Sequence, residues 1–117
     1  MRLEGKVALI TGAAEGVEGE LMGIGGATAW LFSKEGAKVV LGDLKVERGR
    51  KTVAQIDAGG GDALFVQLDV TSEQEWIAAI QAAVSTFGRL DILVNCAGND
   101  ARNKVEETTV EEWDGAM

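Results

Sequence analysis

Short, almost continuously apolar runs alternate with amphipathic ones along this chain. Residues 7–11 (VALIT), 37–41 (AKVVL), 63–68 (ALFVQL) and 91–95 (DILVN) have strand length. Their near-continuous apolar character suits parallel strands buried on both faces. Helical spacing fills the gaps. Residues 24–35 put Ala27 and Leu31 on a shared face with Trp30 or Glu35, and Gly36 follows as a stop. Residues 46–58 read as a more polar helix ended by Gly59, Gly60 and Gly61. Residues 72–75 (SEQE) form a capping box ahead of Trp76, Ile77, Ile80, Val84 and Phe87, with Gly88 as the stop. A second capping box at 109–112 (TVEE) predicts a last helix that the chain end cuts off at Met117. The order β-α-β-α-β-α-β-α with short loops predicts an α/β fold, a parallel sheet flanked by helices through right-handed crossovers.

Composition leaves that picture intact and narrows the function. The 117 residues fit one domain. With 46% hydrophobic and 26% charged residues the chain is of ordinary globular make-up rather than disordered. It shows no internal repeat, low-complexity tract or interdomain linker. A net charge of -8 without any basic cluster argues against a nucleic acid partner, whose phosphates must be neutralised by Lys and Arg. No apolar run approaches the ~20 residues of a membrane span, and the opening MRLEGK lacks signal-peptide features. The expectation is a cytoplasmic protein with no membrane partner. The lone Cys96 permits no intrachain disulfide and gives no zinc spacing, so it reads as a small buried thiol. Histidine is absent, which removes the usual general base and the commonest metal ligand; no metal site is expected.

Sixteen glycines are about twice the usual ~7% share and need a reason. The first strand ends in Thr11-Gly12-Ala13-Ala14 and leads through a glycine-rich segment into a helix. Such a turn lets the backbone approach a pyrophosphate, to which a helix N-terminus offers its N–H groups. The second strand ends in Gly42-Asp43, an acidic residue placed to accept ribose hydroxyls and to repel a 2′-phosphate. The third ends in Asp69-Val70-Thr71 and the fourth in Asn95-Cys96-Ala97-Gly98. All four strands thus carry small or polar residues at their carboxyl ends, the edge where open α/β sheets bind ligands.

In order and spacing, Thr11-Gly12, Gly23-Ile24-Gly25, Asp43, Asp69-Val70 and Asn95-Cys96-Ala97-Gly98 resemble the short-chain dehydrogenase/reductase series. The likeness spans nearly the whole chain, and Glu111-Glu112-Trp113-Asp114 resembles the start of the family's fourth helix. The resemblance implies a Rossmann-type doubly wound sheet of strand order 3-2-1-4, with 1–117 as the first part of a single NAD(P)-binding domain. It implies cofactor contacts at Gly12, Gly23, Ile24, Gly25, Asp43, Leu44, Asp69, Val70, Asn95, Ala97 and Gly98. Asp69 and Val70 would lie by the adenine and Asn95 by the cofactor ribose, with Asn95 also stabilising the central sheet. Asp43 favours NAD; Lys45, two residues further on, lies within reach of a 2′-phosphate and keeps NADP open. A full-length member would act on an alcohol/ketone pair and form a homo-oligomer.

The phosphate loop departs from the family pattern of Thr-Gly, three residues, Gly, one residue, Gly. Here Glu18 stands in place of the last glycine, and Gly-Ile-Gly appears seven residues later. Closing the turn at Gly16 would run a helix through Gly19, Gly23, Gly25 and Gly26, at a cost of about 4 kcal/mol relative to alanine. It would also set Glu18 against a pyrophosphate. Starting the helix near Ile24 instead makes 16–22 an extra loop, whose closure entropy is small. Asp43 then lies about 18 residues beyond Gly25, close to the roughly 20-residue spacing of the dinucleotide fingerprint. That register is preferred. In it, Glu15, Glu18 and Glu20 are expected to face solvent while Leu21 or Met22 packs over the loop or at a subunit contact. A cation site built from the three glutamates is the alternative.

The remaining residues read as structure. Trp30, Trp76 and Trp113 suit helix-to-sheet packing rather than a stacking platform; Lys45, Glu47, Arg48 and Arg50 suit a solvated helix face. Glu106, Glu107, Glu111 and Glu112 are in part capping residues and give no paired-carboxylate hydrolase site. The resemblance implies a Ser-Tyr-Lys catalytic set beyond the fourth strand, but the chain has no tyrosine, and Ser33, Ser72 and Ser85 belong to helix segments. No residue takes the catalytic role, and the fourth strand is expected to be an open apolar edge. The expectation is therefore a fragment of a protein roughly twice as long, inactive alone and binding NAD weakly at best. A non-catalytic nucleotide-binding module is the competing reading.

Overall fold

A computed structural model describes residues 2–96 and the backbone of Glu106–Thr109. Strand β1 (Val7–Thr11) is buried along its whole length. Its side chains alternate between two cores: Ala8 and Ile10 face one, Val7 and Leu9 the other. This is why the strand carries no polar alternation. Helices α1 (Ile24–Lys34) and α2 (Val46–Ala58) cover the first face, packing Ala29 and Ile56 on Val39, Leu41 and Val94. Helix α3 (Glu73–Phe87) covers the second, with Trp76, Ala79 and Ala83 on Val7, Leu9 and Leu93.

Strands β2 (Lys38–Asp43), β3 (Ala63–Gln67) and β4 (Ile92–Asn95) join β1 in parallel, in the order β3-β2-β1-β4. The doubly wound sheet is the one expected. β2 runs through Asp43, two residues beyond the apolar run, because Gly42 has ladder partners on both sides, Thr11 and Val66. A fifth strand, β5 (Glu106–Thr109), lies antiparallel on β4 and corrects one expectation. The outer edge of β4 is paired rather than open. The predicted helix and Trp113 lie outside the described residues.

Two helices differ from their sequence reading in instructive ways. On α1, Ala27 is exposed and Leu31 is 57% exposed, while the buried face is Gly25, Gly26 and Ala29. On α3, the Ser72 hydroxyl accepts from the Glu75 N–H (3.2 Å) as a capping box requires. The Glu75 carboxylate, however, reaches past Ser72 to the Asp69 N–H (2.8 Å), fastening the helix to the turn after β3.

Asp91 fastens the far end of the sheet. Its Oδ2 accepts from the Val7 N–H (2.9 Å), and its two oxygens receive the Arg89 guanidinium at 2.6–3.0 Å. Burial alone pushes this carboxyl up, but Arg89, the Val7 N–H and the charge of Lys6 together hold it below its ordinary value. The stabilisation is thus complete above the unfolded value of about 3.9 and is lost as pH falls through the lowered one. Asp91→Asn should cost about 1–2 kcal/mol in urea unfolding at pH 7, and the gap from the unaltered chain should shrink toward pH 3. A gap independent of pH would remove the charge from this account.

Candidate functional site

The register of the parallel strands brings Thr11, Asp43 and Asn95 to one edge of the sheet, where β1, β2 and β4 end. Gly12 leaves β1 with φ +67° and donates to the Gly42 carbonyl at 2.8 Å, so the turn is stitched to β2 in the left-handed region that glycine tolerates. Two N–H groups hold the Asp43 carboxylate: Ala14 on Oδ2 (3.0 Å) and Lys45 on Oδ1 (3.1 Å). A carboxylate has about four acceptor positions, so the pair fixes the group and leaves lone pairs for a ligand. Leu44, next to it, is 60% exposed.

Asp69 follows β3, its Oδ1 accepting from the Thr71 hydroxyl (2.6 Å) and N–H (2.9 Å). Those two bonds hold its carboxyl below the ordinary value. Val70 is half-buried and its carbonyl accepts from the Trp76 indole (2.8 Å). At the end of β4, Asn95 Oδ1 accepts from the Thr11 hydroxyl (2.7 Å), whose oxygen accepts from the Cys96 N–H (3.1 Å). Cys96 is buried, and burial pushes its thiol up, partly opposed by Thr28, as suits an inert structural cysteine.

The helix starts where the second register requires. Gly23 is the N-cap of α1, with no side-chain cap bond and no acidic residue in the first turn, and Ile24 opens the helix 55% exposed. A Cβ on Gly25 would lie 2.3 Å from the Gly12 carbonyl oxygen. Bare backbone at that contact lets the helix N-terminus close on the turn, leaving its first N–H groups facing the ends of the strands. Uncapped N–H groups beside a fixed Asp43 carboxylate fit the pyrophosphate and adenosine ribose of a dinucleotide.

The extra loop 16–22 returns on itself, Gly23 N–H donating to the Glu15 carbonyl at 2.8 Å. Its apolar anchor is Val17, 2% exposed; of the two residues expected to pack, Leu21 is 93% exposed and Met22 is half-buried. Glu18 and Glu20 are exposed as expected, while Glu15 is half-buried. Glu15 and Glu20 also carry ion pairs, Arg48 reaching Glu20 at 2.5 Å and Glu15 at 3.4 Å and Lys45 reaching Glu15 at 3.5 Å. Lys45 and Arg48 are therefore partnered rather than merely solvated. Among the described residues no group of acidic, His or Cys side chains has the arrangement of a metal site.

A family model for the short chain dehydrogenases matches residues 6–117. The chain belongs to that family. It is 51% identical over 112 residues to 2,5-dichloro-2,5-cyclohexadiene-1,4-diol dehydrogenase LinX of Sphingobium indicum, covering 96% of this chain and 42% of that protein. It is 44% identical over 118 residues to trans-4-hydroxycyclohexanecarboxylate dehydrogenase of Sinomonas cyclohexanicum, with 96% and 43% coverage. A solved 7α-hydroxysteroid dehydrogenase in complex with NADH and 7-oxo glycochenodeoxycholic acid matches with a TM-score of 0.75 at 42% identity, over 84% of this chain and 36% of its own. The chain thus spans about two fifths of the length of the curated relatives it matches.

Within this short-chain dehydrogenase fold, Gly12, Gly23, Ile24, Gly25, Asp43, Leu44, Asp69, Val70 and Asn95 all fall at the carboxyl ends of the strands or the facing start of α1. Ala97 and Gly98 lie outside the described residues. Sequence reasoning passed over Ala14 and Thr52. The Thr52 hydroxyl, fully buried, donates to the Ala14 carbonyl at 2.8 Å and so holds the turn after β1 that presents Ala14 N–H to Asp43. A threonine inside a polar helix gives no local sign of that contact.

Proposed function

We propose that the chain is the dinucleotide-binding half of an NAD-dependent oxidoreductase. The observation that carries this is the Asp43 carboxylate, held by Ala14 and Lys45 N–H groups at the ends of the strands beside the α1 N-terminus. Gly12 and Gly23–Gly25 would take the pyrophosphate, Asp43 and Leu44 the adenosine ribose, Asp69 and Val70 the adenine. Asn95, Ala97 and Gly98 would line the other ribose. Asp43 favours NAD, since a 2′-phosphate would bring like charge against it. NADP is the cofactor that Lys45 would serve.

Bound there, the nicotinamide would accept or return a hydride from an alcohol/ketone pair. The relatives' names support a hydroxyl carried on a ring: a cyclohexadienediol, a hydroxycyclohexanecarboxylate and, at 42% identity, cyclopentanol. We place the protein in the cytoplasm, and infer homo-oligomers from family likeness alone. Among the described residues no helix is long and apolar enough to cross a membrane.

The chain's residues position the cofactor and move no proton. The sequence has no tyrosine to serve as the acid/base of the Ser-Tyr-Lys set that the family resemblance implies, and no histidine. The assay is oxidation of NADH with cyclohexanone or cyclopentanone, run on the 117-residue chain and on a form extended to the relatives' length. Turnover by the extended form alone is expected. Turnover by the chain would overturn the division of roles, and binding without turnover in both would favour the non-catalytic module.

A further inference from the structure

The loop expansion and helix α2 form a closed set of charges beside the ribose end of the candidate site. Ala14 and Lys45 donate their N–H groups to opposite oxygens of Asp43. The side chains next to them close over the same place, Glu15 Oε1 lying 3.5 Å from Lys45 Nζ and 3.4 Å from Arg48 Nε. Glu20, in the expansion, takes Arg48 Nη2 at 2.5 Å and stands 3.8 Å from Lys51 Nζ. The Arg48 hydrogen bond, with the charges of Arg48 and Lys51, holds the Glu20 carboxyl below its ordinary value.

Position and charge give this set a task that stability does not explain. Half-exposed ion pairs contribute little to folding, and Arg48 and Glu20 are 35% and 44% exposed. The loop is held without them, by buried Val17, by Glu18 N–H on Gln55 (2.6 Å) and by the Trp30 indole on the Gly16 carbonyl (2.5 Å). An arginine and a lysine beside a ribose site are, when free, what a 2′-phosphate of nearly two charges seeks. Here both are already occupied by carboxylates.

We propose that Glu15 and Glu20 clamp Lys45 and Arg48 away from the ribose pocket, making the loop expansion a specificity device that rejects a 2′-phosphorylated dinucleotide. This rests on the dinucleotide-binding reading above and adds to the Asp43 carboxylate a second, separable source of discrimination. Freed of its carboxylates, Arg48 can turn to the phosphate.

The test is a chemical-shift titration of the 117-residue chain with NAD+ and with NADP+, up to millimolar concentrations. Glu20→Gln should lower the ratio of the NADP+ to the NAD+ dissociation constant several-fold. Glu15→Gln with Glu20→Gln should lower it about tenfold, the lower end of what one hydrogen bond to a charged group gives. Adding Arg48→Gln should abolish the gain. Simple loosening of the loop would weaken both dinucleotides and leave the ratio unmoved. An unchanged ratio in both glutamate variants, or a gain that survives loss of Arg48, overturns the clamp while leaving the NAD reading intact. Binding of neither dinucleotide by the unaltered chain overturns both.

Discussion

Gly25→Ala should destabilise the fold by about 2 kcal/mol and abolish measurable dinucleotide binding. Alanine gains about 1 kcal/mol over glycine in a helix interior and less in the first turn, where Gly25 sits, so propensity alone predicts a small stabilisation. Against that stands a Cβ placed 2.3 Å from the Gly12 carbonyl oxygen and 3.0 Å from that of Thr11. Both obstacles are backbone at the end of a fully buried strand, and overpacking a rigid contact costs about 1–3 kcal/mol or more. The clash wins. Relief requires α1 to back away from the turn, which removes the helix N-terminus from the site. Gly23→Ala is the matched control: its Cβ would meet only the Glu15 side chain, at an ordinary 3.5 Å. It should cost under about 1 kcal/mol, the difference between glycine and alanine at an N-cap. Urea unfolding of the two variants distinguishes them, and equal midpoints would remove the close approach as the reason for glycine at 25.

Asp43→Ala should weaken NAD+ binding by roughly ten- to a hundredfold, the 1.5–3 kcal/mol of hydrogen bonds to a charged acceptor. The loss has two sources. The ribose loses its acceptor, and the Ala14 and Lys45 N–H groups lose the group that fixes the two loops against each other. NADP+ should weaken less, because the same substitution removes a like charge from the 2′-phosphate. Parallel titrations with the two dinucleotides read this directly. Equal losses for both would mean that Asp43 holds the loops without facing the ribose.

The features legible in the sequence were those with a local signature. The run VALIT is apolar without alternation because both its faces are covered, and it forms the central strand. The cost of interior glycines set the start of α1 correctly at Ile24, even though the loop departs from the family pattern. What the sequence concealed was of two kinds. The inward face of α1 is made of Gly25 and Gly26, which have no side chain to register in a hydrophobic pattern, so the larger Ala27 and Leu31 claimed the face that they do not occupy. The pairing of Arg48 with Glu15 and Glu20 joins residues 33 and 28 apart, and no periodicity links a loop carboxylate to a helix cation across such a gap. Strand β5 escaped for a related reason. Its residues EETT are wholly polar and show no apolar strand pattern in the sequence, while the backbone pairs with β4 from Ile92↔Thr109 to Asn95↔Glu106.

The central claim is that the ends of the four parallel strands form a dinucleotide site, and backbone amide shifts test it most directly because they detect weak binding residue by residue. Titrating the isotopically labelled chain with NAD+ should move the amides of Gly12, Ala14, Ile24, Gly25, Leu44, Val70 and Cys96, while those of Lys6, Gly36 and Arg89 at the opposite edge stay fixed. Shifts confined to that opposite edge, or no shift at millimolar NAD+, would contradict the account.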